Sequence, residues 1–163
     1  MNKYTISVLV ENHFGVLSRI SGLFSGRGYN ILSLTVSETH EPGISKMTIV
    51  TSGDEAIIEQ IDKQLNKLVE VIKVTNLTGS EFIEREMALI KITADSDTRT
   101  DVVQLAEMFD GKIVTVQHNE LGIELSGRPD KIDDFISLVK DFGIIDVARS
   151  GRVAIAKKSG GSA

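Results

Sequence analysis

Seven consecutive residues, Glu11-Asn12-His13-Phe14-Gly15-Val16-Leu17, hold the pattern in this chain best suited to chemistry. They follow a strand-like run and open a helix-like one. The first N–H groups of a helix lack intrahelical acceptors, and with the positive end of the helix dipole they form a ready carboxylate site. Gly15 carries no Cβ, so a small anion could approach the backbone closely there. Taken alone, the segment reads more simply as a plain strand-to-helix turn in which Gly15 permits the backbone angles. Anion binding is the sharper alternative.

Other reactive groups are poorly placed. His13, His40 and His118 have no carboxylate or second histidine at metal-ligand spacing, so no metal site is assigned. Cysteine is absent, which removes disulfides, thiolate metal sites and a cysteine nucleophile. No G-x-S-x-G elbow occurs among the serines. Glu59, Asp62, Asp133 and Asp134 fall on the polar faces of helices, where solvation explains them. No catalytic residue is assigned. Gly26-Arg27-Gly28 ends a helix rather than opening one, so it reads as a helix stop and not as a dinucleotide loop.

The elements that position the turn come from periodicity. Ile6, Val8 and Val10 alternate along a first strand, and Val16, Leu17, Ile20, Leu23 and Phe24 follow at helical spacing. Leu32, Leu34 and Val36 face one way along a second strand, with Ser33, Thr35 and Ser37 facing the other. Glu41-Pro42-Gly43-Ile44 is a tight turn into a returning strand with Met47 and Ile49 inward. Ile57, Ile61, Leu65 and Leu68 mark a second helix, and a last strand runs from about Val69 to Leu77. The order is β-α-β-β-α-β, a ferredoxin-like unit with an antiparallel sheet, both helices on one face and the second strand at an edge.

The same order recurs beyond Thr78-Gly79-Ser80. Ala88, Ile90 and Ile92 alternate, and Val102, Leu105, Ala106 and Phe109 form a helical stripe. Ile113 to Gln117 and Leu121 to Leu125 flank His118-Asn119. Ile132, Phe135, Ile136 and Val139 form another stripe, and Ile144 to Ala148 closes the unit. The fold class is α+β, two ferredoxin-like units in tandem: residues 1–78, a linker over 79–85, a second unit over 86–152 and a flexible tail over 153–163.

Composition narrows the partners. The net charge of −5 opposes phosphate backbones, and the first and third strands offer Thr5, Ser7, Thr48 and Val50 on their exposed side where an RNA-binding sheet offers aromatics. Nucleic acid is therefore a poor partner. The local basic pair outside ordinary helix faces is Lys157-Lys158, in the polar tail. The N-terminus lacks the apolar core of a signal peptide, and no apolar run approaches the ~18 residues of a membrane span. A soluble, cytoplasmic protein without membrane contact is expected. The second strand carries neither Pro nor Lys, so its bare edge is a pairing surface. Two chains joined there by a two-fold axis would form one eight-stranded sheet, bringing the turn of one near Tyr29-Asn30-Ile31 of the other.

Several motifs together carry a family resemblance. Ser7-Val8-Leu9-Val10-Glu11-Asn12, Gly15-Val16-Leu17-Ser18-Arg19 and Gly28-Tyr29-Asn30-Ile31 with Ser33-Leu34-Thr35-Val36 resemble the ACT domain of acetolactate synthase small subunits. Lys46-Met47-Thr48-Ile49, the run Ile61 to Leu68, Glu84-Arg85-Glu86 and Ala148-Arg149-Ser150-Gly151 are similar to that family as well. The resemblance spans nearly the whole chain and reverses the preference for a plain turn.

It implies a non-catalytic regulatory subunit with an ACT domain over residues 1–78. Such a subunit activates a large subunit and confers feedback inhibition by a branched-chain amino acid, commonly valine, in branched-chain amino-acid biosynthesis. Thiamine diphosphate, Mg²⁺ and FAD are then expected on the large subunit and none on this chain. The effector is held between ACT domains of a homodimer, by Asn12, Gly15, Val16, Leu17 and Ser18 of one chain and Asn30 and Ile31 of the other. The alternative is a free-standing ACT-type sensor that regulates a different enzyme or a transcription factor. In the second unit the matching turn reads Ala94-Asp95-Ser96-Asp97-Thr98-Arg99, whose acids would repel a carboxylate, so no amino-acid site is assigned there.

Overall fold

Alternating apolar residues make β1 (Asn2–Glu11) a central strand, with Ile6, Val8 and Val10 all buried on one side. In the computed structural model, which describes residues 2–159, β1 lies between β3 (Ile44–Gly53) and β4 (Val71–Asn76), antiparallel to both. β2 (Asn30–Glu38) follows β3 outward, so the sheet order is β2-β3-β1-β4 and β2 is at the edge, as the sequence implies. One face is covered by α1 (Val16–Gly26) and α2 (Glu55–Asn66). Val16, Ile20 and Phe24 of α1 and Ile58, Ile61 and Leu65 of α2 join Ile6, Val8, Val10, Met47 and Ile49 in one core. Each such side chain contributes about 1.5–3 kcal/mol when fully buried.

The hairpin turn has the chemistry its residues suggest. The Ile44 N–H donates to the Glu41 carbonyl at 3.2 Å, and Gly43 has φ +80°. That positive φ is what the third position of a type II turn requires. The alternation in β2 is less regular than its sequence, because a bulge between Ile31 and Ser33 shifts its register on β3. Leu34 still reaches the core, whereas Leu32 and Val36 are left 45% and 44% exposed along the edge strand.

The second unit repeats the plan with β5 (Phe82–Thr93), α3 (Arg99–Met108), β6 (Lys112–Val116), β7 (Glu120–Gly127), α4 (Pro129–Val139) and β8 (Ile144–Arg149). Its sheet order is β6-β7-β5-β8. Ala88, Ile90 and Ile92 of β5 pack with Val102, Ile132 and Phe135 from the helices in a core of its own. The fold is α+β with two ferredoxin-like βαββαβ units.

The boundaries differ from those read in the sequence. The first unit runs to Ile83, the second spans Glu84–Gly151, and the chain re-enters the first unit at Arg152. The stretch 79–85 thus already contains the start of β5. The stretch from residue 153 opens with a strand rather than a tail: Val153–Ala156 forms β9, which packs against β1 and buries Ala154. Four residues are too short to announce themselves by alternation, and β1 lies far back in the sequence. Residues 160–163 of the expected tail lie outside the described residues.

This return corrects a second expectation. Thr5, Ser7, Thr48 and Val50, read as the exposed side of the sheet, are all buried. The segment after Gly151 runs over that face. There the Arg152 N–H donates to Ser33 Oγ at 3.2 Å, and Thr35 Oγ1 donates to the Arg152 carbonyl. Among the described residues no helix is long and apolar enough to cross a membrane.

Candidate functional site

The turn between β1 and α1 is fixed by backbone bonds on both sides. The Glu11 N–H donates to the Glu70 carbonyl at 2.8 Å, and the Asn12 N–H donates to the Gly43 carbonyl at 2.7 Å. Gly15 then starts α1 in the left-handed region, at φ 83° and ψ 0°, a conformation that costs residues with a Cβ and not glycine. No side chain caps this helix and its first turn has no acid. The Val16 N–H reaches the His13 carbonyl at 3.3 Å and the Arg19 N–H reaches the Gly15 carbonyl at 3.0 Å. Between them, the N–H groups of Leu17 and Ser18 meet no acceptor among the described residues. Two adjacent donors at a helix start are the requirement for holding a carboxylate.

A cation that spacing did not single out completes the turn. Arg19, one helical turn past Gly15, places its Nη1 3.4 Å from where a Cβ on Gly15 would stand. Its Nη2 is ion-paired with Glu70. The guanidinium is thus held beside Gly15. Only its i+4 distance from Gly15 on one helix face could have flagged it.

The other expected residues divide by exposure. Asn12, Leu17, Ser18 and Asn30 are exposed. Leu17, 44% exposed, can wall a ligand's apolar side chain. Val16 is 5% exposed and belongs to the core, so its part at the turn is confined to its backbone. Ile31 is half-buried against the same core, and the Asn30 carbonyl accepts from Thr51 Oγ1 at 2.6 Å.

Within one chain the two groups do not meet. Asn30 stands level with Ser52 of β3, whereas Glu11, at the mouth of the turn, stands level with Ile44. Ser52 and Ile44 are eight residues apart on one strand, a separation of about 27 Å. The far end of β2 is different, since Glu38 is level with Ser45 at the same end of the sheet as the turn. A second β2 laid antiparallel along this edge would place its own Asn30 there.

The matching turn of the second unit is already filled. Asp95 Oδ1 accepts from the Asp97 N–H at 2.9 Å, the Thr98 N–H at 3.0 Å and the Thr98 hydroxyl at 3.1 Å. Bonds to Thr98 and Asp97 hold the Asp95 carboxyl below the usual carboxylate range. The chain's own carboxylate occupies the place an incoming one would need. Among the described residues no group of three or more His, Asp or Glu is arranged to hold a metal ion.

A βαββαβ unit with an uncapped turn after its first strand and a bare edge on its second has the architecture of an ACT domain. Residues 6–73 match the model of the AHAS small subunit-like ACT domain, and residues 85–158 match that of the small subunit of acetolactate synthase. The chain is 47% identical over 159 residues to the acetolactate synthase small subunit of Aquifex aeolicus, covering 97% of this chain and 83% of that one. It is 46% identical to the acetolactate synthase isozyme 3 small subunit of Escherichia coli, over 93% of this chain and 94% of that one. The crystal structure of the acetolactate synthase small subunit from Thermotoga maritima superposes with a TM-score of 0.88 at 41% identity, over 98% of this chain and 99% of that one. The chain belongs to the acetolactate synthase small subunit family, the regulatory subunits of that enzyme.

Proposed function

We propose that this chain activates a thiamine-diphosphate-dependent acetolactate synthase large subunit and makes it sensitive to feedback by a branched-chain amino acid, with valine as the effector. The ligand sits where α1 begins, at a seam between the β2 edges of two copies. Its carboxylate accepts from the Leu17 and Ser18 N–H groups beside Arg19. Asn12 of one copy and Asn30 of the other can each donate or accept through their amides, so either can meet the ammonium or the carboxylate. Leu17 and Ile31 wall the apolar side chain.

The observation that carries this reading is the separation of Asn30 from the turn along a single sheet. Residues about 27 Å apart in one chain form one site only across two copies. A ligand clamped at that seam stabilises one relative orientation of the copies. It acts on the catalytic partner only through its different affinities for the arrangements it can join. The chemistry of acetolactate formation, with thiamine diphosphate, Mg²⁺ and FAD, belongs to the large subunit.

The test is reconstitution. Synthase activity should rise when the full chain meets a large subunit, and valine should lower it again. Gly15→Asp should abolish the valine response and spare activation. Its carboxylate would pair with Arg19 at the anion position, and Asp tolerates positive φ better than most residues. A variant that retained normal valine inhibition would place the effector elsewhere.

A further inference from the structure

The face of the first sheet opposite its helices carries a groove that the amino-acid site does not use. Leu9 of β1 stands level with Lys46 of β3 on one side and Lys73 of β4 on the other. The two lysines therefore project from one face, with Cα atoms about 10 Å apart across three strands. Along β1 to the next residue on this face, Ser7 stands level with Thr75. The returning C-terminal segment adds Ala156, Lys157 and Lys158, and the groove measures about 800 Å³.

Its charge is only partly compensated. Lys46 is half-buried, and Lys46, Lys73 and Lys158 have no ion-pair partner among the described residues. Lys157 reaches Glu81, the acid on the rim, at 3.9 Å, and both of those side chains are more than half exposed. The hydroxyls of Ser7 and Thr75 line the groove and make no hydrogen bond among the described residues. Four ammonium groups gathered into one concavity, in a chain of net charge −5, repel one another unless an anion enters.

We propose that this groove binds a small phosphorylated anion through a di- or triphosphate group. The lysines neutralise its charges as mobile point cations, and Ser7 and Thr75 donate to its oxygens. Four lysines less the Glu81 carboxylate leave three positive charges, which match a polyphosphate better than a single phosphate. A volume of about 800 Å³ exceeds a bare phosphate chain and lies within the range of small-molecule sites, so a group attached to the phosphates has room. The site is separate from the start of α1 and does not rest on the valine reading.

Calorimetric titration of the full chain with sodium tripolyphosphate and, separately, with a purine nucleoside triphosphate tests this. Saturable binding of either probe at one site per chain is expected; tripolyphosphate alone indicates free polyphosphate, and the nucleotide alone indicates a nucleotide. Lys46→Gln with Lys73→Gln should weaken binding at least tenfold, as should Lys157→Gln with Lys158→Gln. Lys63→Gln with Lys67→Gln, the same charge change at exposed positions in and just after α2, should alter it less than twofold. Absence of saturable binding with both probes, or an equal loss in all three double variants, would overturn the proposal.

Discussion

At the scale of single residues, Gly15 and Arg19 show what the sequence discloses and what it hides. Gly15 was legible as a turn residue between a strand pattern and a helix pattern, and the structure gives it the left-handed conformation such a turn uses. Arg19 was not, since its orientation depends on Glu70, which the fold alone brings beside it. The family motifs around Glu86 and Arg149 gain a physical reason in the same way. Glu86 is buried, and Arg149 holds it with two bonds, Nε to Oε1 at 2.5 Å and Nη2 to Oε2 at 3.0 Å, while Nη1 reaches Asp133 at 2.7 Å. Contact with Glu86 raises the guanidinium's pKa further above its ordinary value. Arg149→Ala would leave the Glu86 carboxylate buried and unpaired, an event that costs about 3–5 kcal/mol. Arg149's side chain is 35% exposed, so water can partly replace it and about 3 kcal/mol is expected. Chemical denaturation of the full chain would read this as a lower midpoint with the slope unchanged. A loss under 1 kcal/mol would show that the pair does not hold β5 to β8.

At the scale of elements, α1 and α3 follow equivalent strands yet begin differently. The N–H groups at the start of α1 are left open, whereas those ahead of α3 are met by Asp95. Asp95→Ala should therefore destabilise the second unit, and the effect should depend on pH. Because the folded pKa is depressed, the stabilisation is fully present above the unfolded value of about 3.9. It is lost as pH falls through the lower folded value. Thermal melts of wild type and variant should thus differ at pH 7 and converge toward pH 2; a gap that persisted at pH 2 would assign the effect to packing.

Most elements were legible because each carries its own periodicity, from the alternation of β1 to the stripes of α2 and α4. The strand order followed from handedness and hairpin rules. What escaped was non-local. The bulge in β2 arises from pairing with β3, and β9 is a strand because it pairs with β5, far earlier in the sequence. Within the candidate site, Val16 lies in the core, as its place in the helical stripe implies, so only its backbone is offered at the turn.

At the scale of the whole molecule, one topology occurs twice, with the turn after the first strand left uncapped in one unit and filled by Asp95 in the other. In the proposed function, the edge of β2 makes the first unit half of a site. Glu38 at its end is the charged residue of the strand, and Leu32 and Val36 lie exposed along the edge. Replacing both with Lys should convert a dimer to a monomer in sedimentation equilibrium and reduce valine affinity at least tenfold, because Asn30 would no longer reach the neighbouring turn. A monomer that bound valine normally would show that one copy suffices. The most direct measurement is a crystal structure of the full chain with valine. The account predicts the valine carboxylate within about 3 Å of the Leu17 and Ser18 nitrogens of one copy, with Asn30 of the second copy closing over the ligand. Valine bound entirely within a single copy, or an empty turn at saturating valine, would contradict it.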